Sequence, residues 1–77
     1  MIDLAKHIEM VPGKLYGKPV IANTRVPVGL ILEKLAGGDC IEDLLAAYPQ
    51  VSKDDISACL LFAAKAIKNE VFLNQAS

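Results

Sequence analysis

Gly17-Lys18-Pro19-Val20-Ile21-Ala22-Asn23-Thr24-Arg25-Val26-Pro27 divides the chain into two kinds of sequence. The residues after it have helical periodicity, and those before it read as short extended segments broken by turns. Pro19 confines the next residues to a strand start or an edge. Val20-Ile21 and Thr24-Arg25-Val26 are rich in β-branched side chains and flank Ala22-Asn23. Asn tolerates the left-handed conformation that tight turns require. Residues 19–26 therefore read as a small hairpin, or as two extended segments around a turn. A two-stranded ribbon is marginal alone, so it must pack on helices or pair with a second copy.

Working back from this stretch, Tyr16-Gly17-Lys18-Pro19 is a break and Pro12-Gly13 a strong turn signal that halts a short strand at 8–11. Residues 1–7 give no clear signal. Working forward, Pro27 suits a first helical position, where its missing N–H costs nothing. Val28, Ile31, Leu32 and Leu35 then recur at i, i+3, i+4 and i+7, one buried helix face. Gly37-Gly38 ends that helix.

A second helix starts at Asp39 or Cys40, with Asp39 and Glu42 in capping-box spacing. Its stripe is Ile41, Leu44, Leu45 and Tyr48, and Pro49 stops it. Ser52 opens the third helix, with Asp55 at the capping-box position. There Ile56, Cys59, Leu60, Ala63 and Ile67 make one apolar face, and Ala58, Phe62 and Ala66 an adjacent one. A helix apolar over so much of its circumference is central to the core or covered by a partner. Leu61 lies toward its polar side. The tail, residues 69–77, carries Val71-Phe72-Leu73 and then turns polar.

Seventy-seven residues make one domain, 1–77. A chain of this size buries only about 60% of its unfolded surface on folding. Its residues are nevertheless 53% hydrophobic, with a mean hydropathy of +0.38. That excess predicts an apolar contact patch and a homodimer or a tight hetero-complex. The longest apolar run, 58–64, is too short to span a membrane, which takes roughly 20 residues. The N-terminus has no apolar leader segment. Cys40 and Cys59 have no metal or disulfide spacing and are expected to stay reduced in a cytoplasm. Net charge is −1, which argues against general nucleic-acid binding. Residues 1–34 carry +2 and residues 35–77 carry −3, so attraction to phosphate belongs to the arm.

Helices two and three, joined by a short turn, fit a helix-turn-helix of homeodomain-like kind. Pro12-Gly13, Gly17-Lys18-Pro19-Val20-Ile21 and Thr24-Arg25-Val26-Pro27-Val28 resemble the small bacterial proteins of domain-of-unknown-function family 433. The later Ile41-Glu42-Asp43-Leu44-Leu45, Tyr48-Pro49, Asp54-Asp55-Ile56 and Ala63-Ala64 fit the same family in order and spacing. The resemblance covers roughly residues 8–66. Two positions depart from it: Asn23 replaces the usual Gly before Thr-Arg, and Cys40 replaces the usual Ser at the second helix's cap. The resemblance implies a VapB-type antitoxin with a homeodomain-like core, encoded beside a PIN-like nuclease toxin.

Two readings of Arg25 compete. Its five donors suit backbone carbonyls that tie strand to helix. They equally suit carboxylates of a partner, such as the acidic metal site that the resemblance supplies. For DNA, the candidate recognition helix is 53–61, with Lys53 and Ser57 exposed, but its first turn also holds two carboxylates. It offers no Arg, Asn or Gln to read base edges. If DNA is touched, Lys14, Lys18 and Arg25 are the favoured contacts. Asp54 and Asp55 read as first-turn capping rather than a metal or acid–base pair. His7 reads as a solvated arm residue, Cys59 as core, and Cys40 as a thiol whose pKa a helix start can lower. Gly17-Lys18 is no phosphate loop, because the surrounding glycine frame is absent. No catalytic constellation, metal site or cofactor site emerges.

The sequence therefore predicts a mainly α fold. A β-arm or hairpin (8–26) precedes a three-helix homeodomain-like helix-turn-helix core (27–68) and a C-terminal extension (69–77). The expected role is a cytoplasmic, non-enzymatic antitoxin of a type II toxin–antitoxin pair. It would bind a PIN-like nuclease toxin and act as a homodimer with no small-molecule substrate and no membrane. Operon autoregulation through DNA is a further expectation. The alternative is a dimeric helix-turn-helix regulator without a toxin. Leu61, Phe62, Val71 and Phe72 are the candidate dimer or toxin surface.

Overall fold

A computed structural model describes residues 2–69. Four helices and two short strands occur in the order α1 (Leu4–His7), β1 (Ile8–Glu9), β2 (Val20–Ile21), α2 (Val28–Ala36), α3 (Ile41–Ala47), α4 (Lys53–Ile67). A tight 3-10 turn, Leu15–Gly17, interrupts the link between the strands. Helices dominate, as the periodicity predicts. The number differs: α1 adds a fourth helix where residues 1–7 gave no signal. It is a single turn capped by Asp3, whose carboxylate accepts the Ala5 N–H at 3.1 Å. One turn is too short for propensity to reveal, so packing against α4 has to hold it.

The two strands pair antiparallel, Ile8 with Ile21 and Glu9 with Val20. The turn expected at Ala22-Asn23 is also present, with Asn23 left-handed at φ 64°. On its far side the Ile21 N–H reaches the Val26 carbonyl at 2.9 Å, and Val20 bridges Pro27. Val20-Ile21 is thus the middle of three extended segments, where a two-segment hairpin was expected. Thr24 holds the turn from inside. Its hydroxyl donates to the Ile21 carbonyl at 2.7 Å and accepts the Val26 N–H at 3.0 Å.

Pro27, expected as the first helical residue, is instead the N-cap of α2 with extended ψ of 141°, so the helix starts one position later than expected, at Val28. At the other end Gly38 takes φ 106°, a conformation any side chain would resist. Its N–H bonds the Leu35 carbonyl and that of Asp39 the Lys34 carbonyl, the paired closure of a Schellman motif. The cap of α3 is a correction. Cys40, not Asp39, is the N-cap, and the Cys40 N–H is accepted by Asp43 at 3.0 Å rather than by Glu42. The Ser52 and Asp55 box on α4 forms as predicted, with bonds of 3.0 and 2.9 Å.

Helix α4 is the axis of the molecule: α1, β1, α2 and α3 all pack on it. The core gathers Ile8, Ile21 and Val26 from the extended segments, Val28 and Ile31 from α2, and Leu44 from α3. Val51, Ile56, Ala58 and Cys59 complete it. The β-arm is buried at Ile8, Val20, Ile21, Thr24 and Val26, while none of its tip, residues 10–18, is buried. Packing departs from the predicted faces of α4 in its second half. Ile56 and Cys59 are buried, but Leu60 and Ile67 are 48% and 86% exposed. A helix of 15 residues is about 22 Å long and outruns the elements that cover its start. No helix among the described residues is long and apolar enough to cross a membrane.

Candidate protein-interaction surface

The tip of the arm, residues 10–18, is built around Lys14. Its ammonium donates to Glu9 Oε2 at 2.6 Å and to the Thr24 carbonyl at 3.2 Å. The same Glu9 oxygen accepts the Asn23 N–H at 3.2 Å. Lys14 and the Asn23 N–H, in that order, hold the Glu9 carboxyl below its ordinary range. Lys14 thus cross-links the base of the tip to the Asn23-Thr24 turn. Lys14, a candidate contact for a partner or DNA, is engaged within the arm.

From that base the chain makes an unusual turn. Leu15, Tyr16 and Gly17 take φ of 47°, 57° and 80° in succession. Left-handed geometry costs about 1–2 kcal/mol for an ordinary L-residue. Two backbone bonds keep it: the Gly17 N–H to the Lys14 carbonyl at 2.9 Å, and the Lys18 N–H to the Leu15 carbonyl at 3.1 Å. The result carries Tyr16 outward at 96% exposure. Beside it runs a groove of about 560 Å³ between the turn and the start of α2. Leu15, Tyr16, Pro27 and Leu30 give it apolar walls, and Lys18 and Glu33 stand on it as opposite charges.

Arg25 is exposed and makes no hydrogen bond or ion pair with any described residue, so the carbonyl-tying reading fails. Lys18 is likewise exposed and unpaired among the described residues. Both lie on the surface of the arm, with the buried Thr24 fixing the backbone next to Arg25. Lys53 and Ser57 are exposed on the first turns of α4, beside the exposed Asp54. Leu61 and Phe62 are half-buried, Phe62 against the core. Val71 and Phe72, with the rest of 70–77, lie outside the described residues.

His7 is not a free arm residue. Its Nδ1 meets Asp55 Oδ1 at 2.7 Å, tying α1 to the start of α4. Burial raises the Asp55 carboxyl, but the Ser52 N–H and the His7 contact outweigh it and leave the carboxyl below its ordinary range. Cys40 is also a correction. The Asp43 N–H draws its thiol down, but the Asp43 and Glu42 carboxylates prevail and set it above its ordinary range. Cys59 is pushed up to about 12, first by burial and then by the Asp55 charge. Neither thiol is activated as a nucleophile. No group of three or more His, Cys, Asp or Glu that could hold a metal occurs among the described residues.

Tyr16 and Leu30 are the site residues that sequence reasoning missed. Leu30 had a signal, because it falls off the Val28-Ile31-Leu32-Leu35 stripe of its helix. Tyr16 had only the Gly after it.

Comparison with known proteins places the chain among relatives of undetermined role. The family described as "Protein of unknown function (DUF433)" matches residues 8–63. A Sinorhizobium fredii protein (strain NBRC 101917 / NGR234), "Uncharacterized protein y4eO", is 36% identical over 64 residues. That alignment covers 79% of this chain and 29% of the relative, so the chain spans less than a third of that protein. The crystal structure of a DUF433 member from Anabaena variabilis ATCC 29413, at 2.00 Å, superposes with a TM-score of 0.77 at 30% identity. It covers 87% of this chain and 66% of that one.

Proposed function

Because the chain belongs to the DUF433 family, whose function is unknown, we propose that it is a non-enzymatic, cytoplasmic protein-binding module, the antitoxin of a type II pair. Its partner is a PIN-like nuclease, and its contact residue is Arg25. One observation carries this reading. Arg25 is the chain's sole arginine, and it stands exposed, unpaired among the described residues, beside a turn whose backbone is fixed. A guanidinium in that state keeps all its donors for a bidentate carboxylate, and nuclease metal centres are carboxylate-rich. Lys18 adds to the same attraction.

Co-expression with the product of the neighbouring gene tests the proposal. The expected result is a co-eluting complex in which the partner's RNA cleavage is suppressed. A partner that elutes alone and cleaves RNA freely in the presence of this chain rules the proposal out.

Operon repression through α3 and α4 is a second reading, favoured by the exposure of Lys53 and Ser57 together at the start of α4. Asp54, exposed beside them, opposes phosphate. A sequence-specific gel shift with a steep salt slope, lost on Lys53→Ala, is the result this reading requires.

A further inference from the structure

The groove beside Tyr16 has features that the nuclease reading does not use. Its walls are apolar, and its rim holds one cation, Lys18, and one anion, Glu33, neither paired with a described residue. Next to this hollow stands a knob, the Tyr16 ring, on a turn held in left-handed geometry and anchored at its base by Lys14. An interface between two copies related by a two-fold axis needs a patch that is its own complement, in which residue i meets j and j meets i. A knob beside a hollow, flanked by one charge of each sign, meets that requirement. Backbone strain persists where surrounding bonds over-determine it, and it concentrates at clamps and contact sites. Tyr is among the side chains that most often dominate an interface.

We infer that the Tyr16 groove is the self-association surface of this protein, with a second copy of the chain as its occupant. Tyr16 of each copy enters the other's groove against Leu30, and Lys18 of each pairs with Glu33 of the other. The eight lining residues are fewer than the roughly 20–30 per side of a standard interface, so the dimer is a weak, reversible one. This inference stands apart from the nuclease proposal, because it is read out on the isolated chain.

Sedimentation equilibrium of the full chain and its variants is the test. Lys18→Glu or Glu33→Lys alone sets like charges against each other twice across the axis, and each should weaken the dimer about tenfold or more. The double exchange, Lys18→Glu with Glu33→Lys, restores opposite pairs and should return the dissociation constant to within about threefold of the parent. Tyr16→Asn keeps a residue that accepts left-handed φ while removing the ring, and it should also dissociate the dimer. Lys18, Glu33 and Tyr16 are all exposed, so the far-ultraviolet spectrum should be unchanged in these variants. A parent chain that is monomeric at 100 micromolar, on the order of the weakest such dimers, overturns the inference. So does a dimer indifferent to these changes but dispersed by Leu60→Ser with Ile67→Ser. Loss of nuclease binding in Tyr16→Asn from a parent that never self-associates would give the groove to that partner instead.

Discussion

Thr24 does more for this structure than its size suggests. It is buried, and its one hydroxyl closes the turn in both directions, donating to Ile21 and accepting from Val26. Thr24→Val keeps the shape and removes both bonds, leaving the buried Val26 N–H without an acceptor. The expected loss is about 1–3 kcal/mol of unfolding free energy by urea titration, with Thr24→Ser retaining most of the parent's value. Local chemistry of this kind was legible: Asn23 was read as the turn residue and is left-handed. Long-range pairing was not. Lys14 was read only as a candidate contact for a partner or DNA, yet it donates to Glu9 and to the Thr24 carbonyl ten residues on. His7 finds its partner 48 residues away, and no periodicity reports on that.

Among the elements, the start of α4 concentrates most interactions. Asp55 closes the capping box with Ser52 and receives His7, so α1 and α4 share one carboxylate. Its folded pKa lies below its ordinary value of 3.8. The stability it contributes is therefore present above about pH 4 and lost as pH falls through the lowered folded value. Parent and Asp55→Asn chains compared in urea between pH 2 and 6 should converge at the acid end. The parent should be the more stable above about pH 4, and a constant gap across the range would exclude the linkage. The helices α2, α3 and α4 were each legible from their apolar stripes and end signals. Errors fell at α1, too short to have a stripe, and at the α3 cap, where Cys40 with Asp43 replaced Asp39 with Glu42. The apolar far half of α4 was read as core or as covered by a partner, and among the described residues nothing covers Ile67.

At the scale of the molecule, the excess of apolar residues noted in the composition is spent partly on the surface. Tyr16, Leu60 and Ile67 are the large side chains most exposed, at the arm tip and along α4. The extended segments around residues 19–27 enter the core and present Arg25 outward, so the stretch that decides the fold also displays the proposed contact. That coupling was half visible in advance: the arm was identified as the carrier of much of the positive charge, but the internal bonds of Lys14 were not foreseen. The proposed function rests most on one point, that the arm, and not the first turn of α4, recognises the partner. Calorimetric titration of the neighbouring gene's nuclease with the parent, Arg25→Ala, and Lys53→Ala with Ser57→Ala tests it most directly. Arg25→Ala is predicted to weaken binding about 30-fold or more with an unchanged melting temperature, while the α4 variant binds like the parent. An Arg25→Ala chain that binds as tightly as the parent, beside an α4 variant that does not bind, would contradict it.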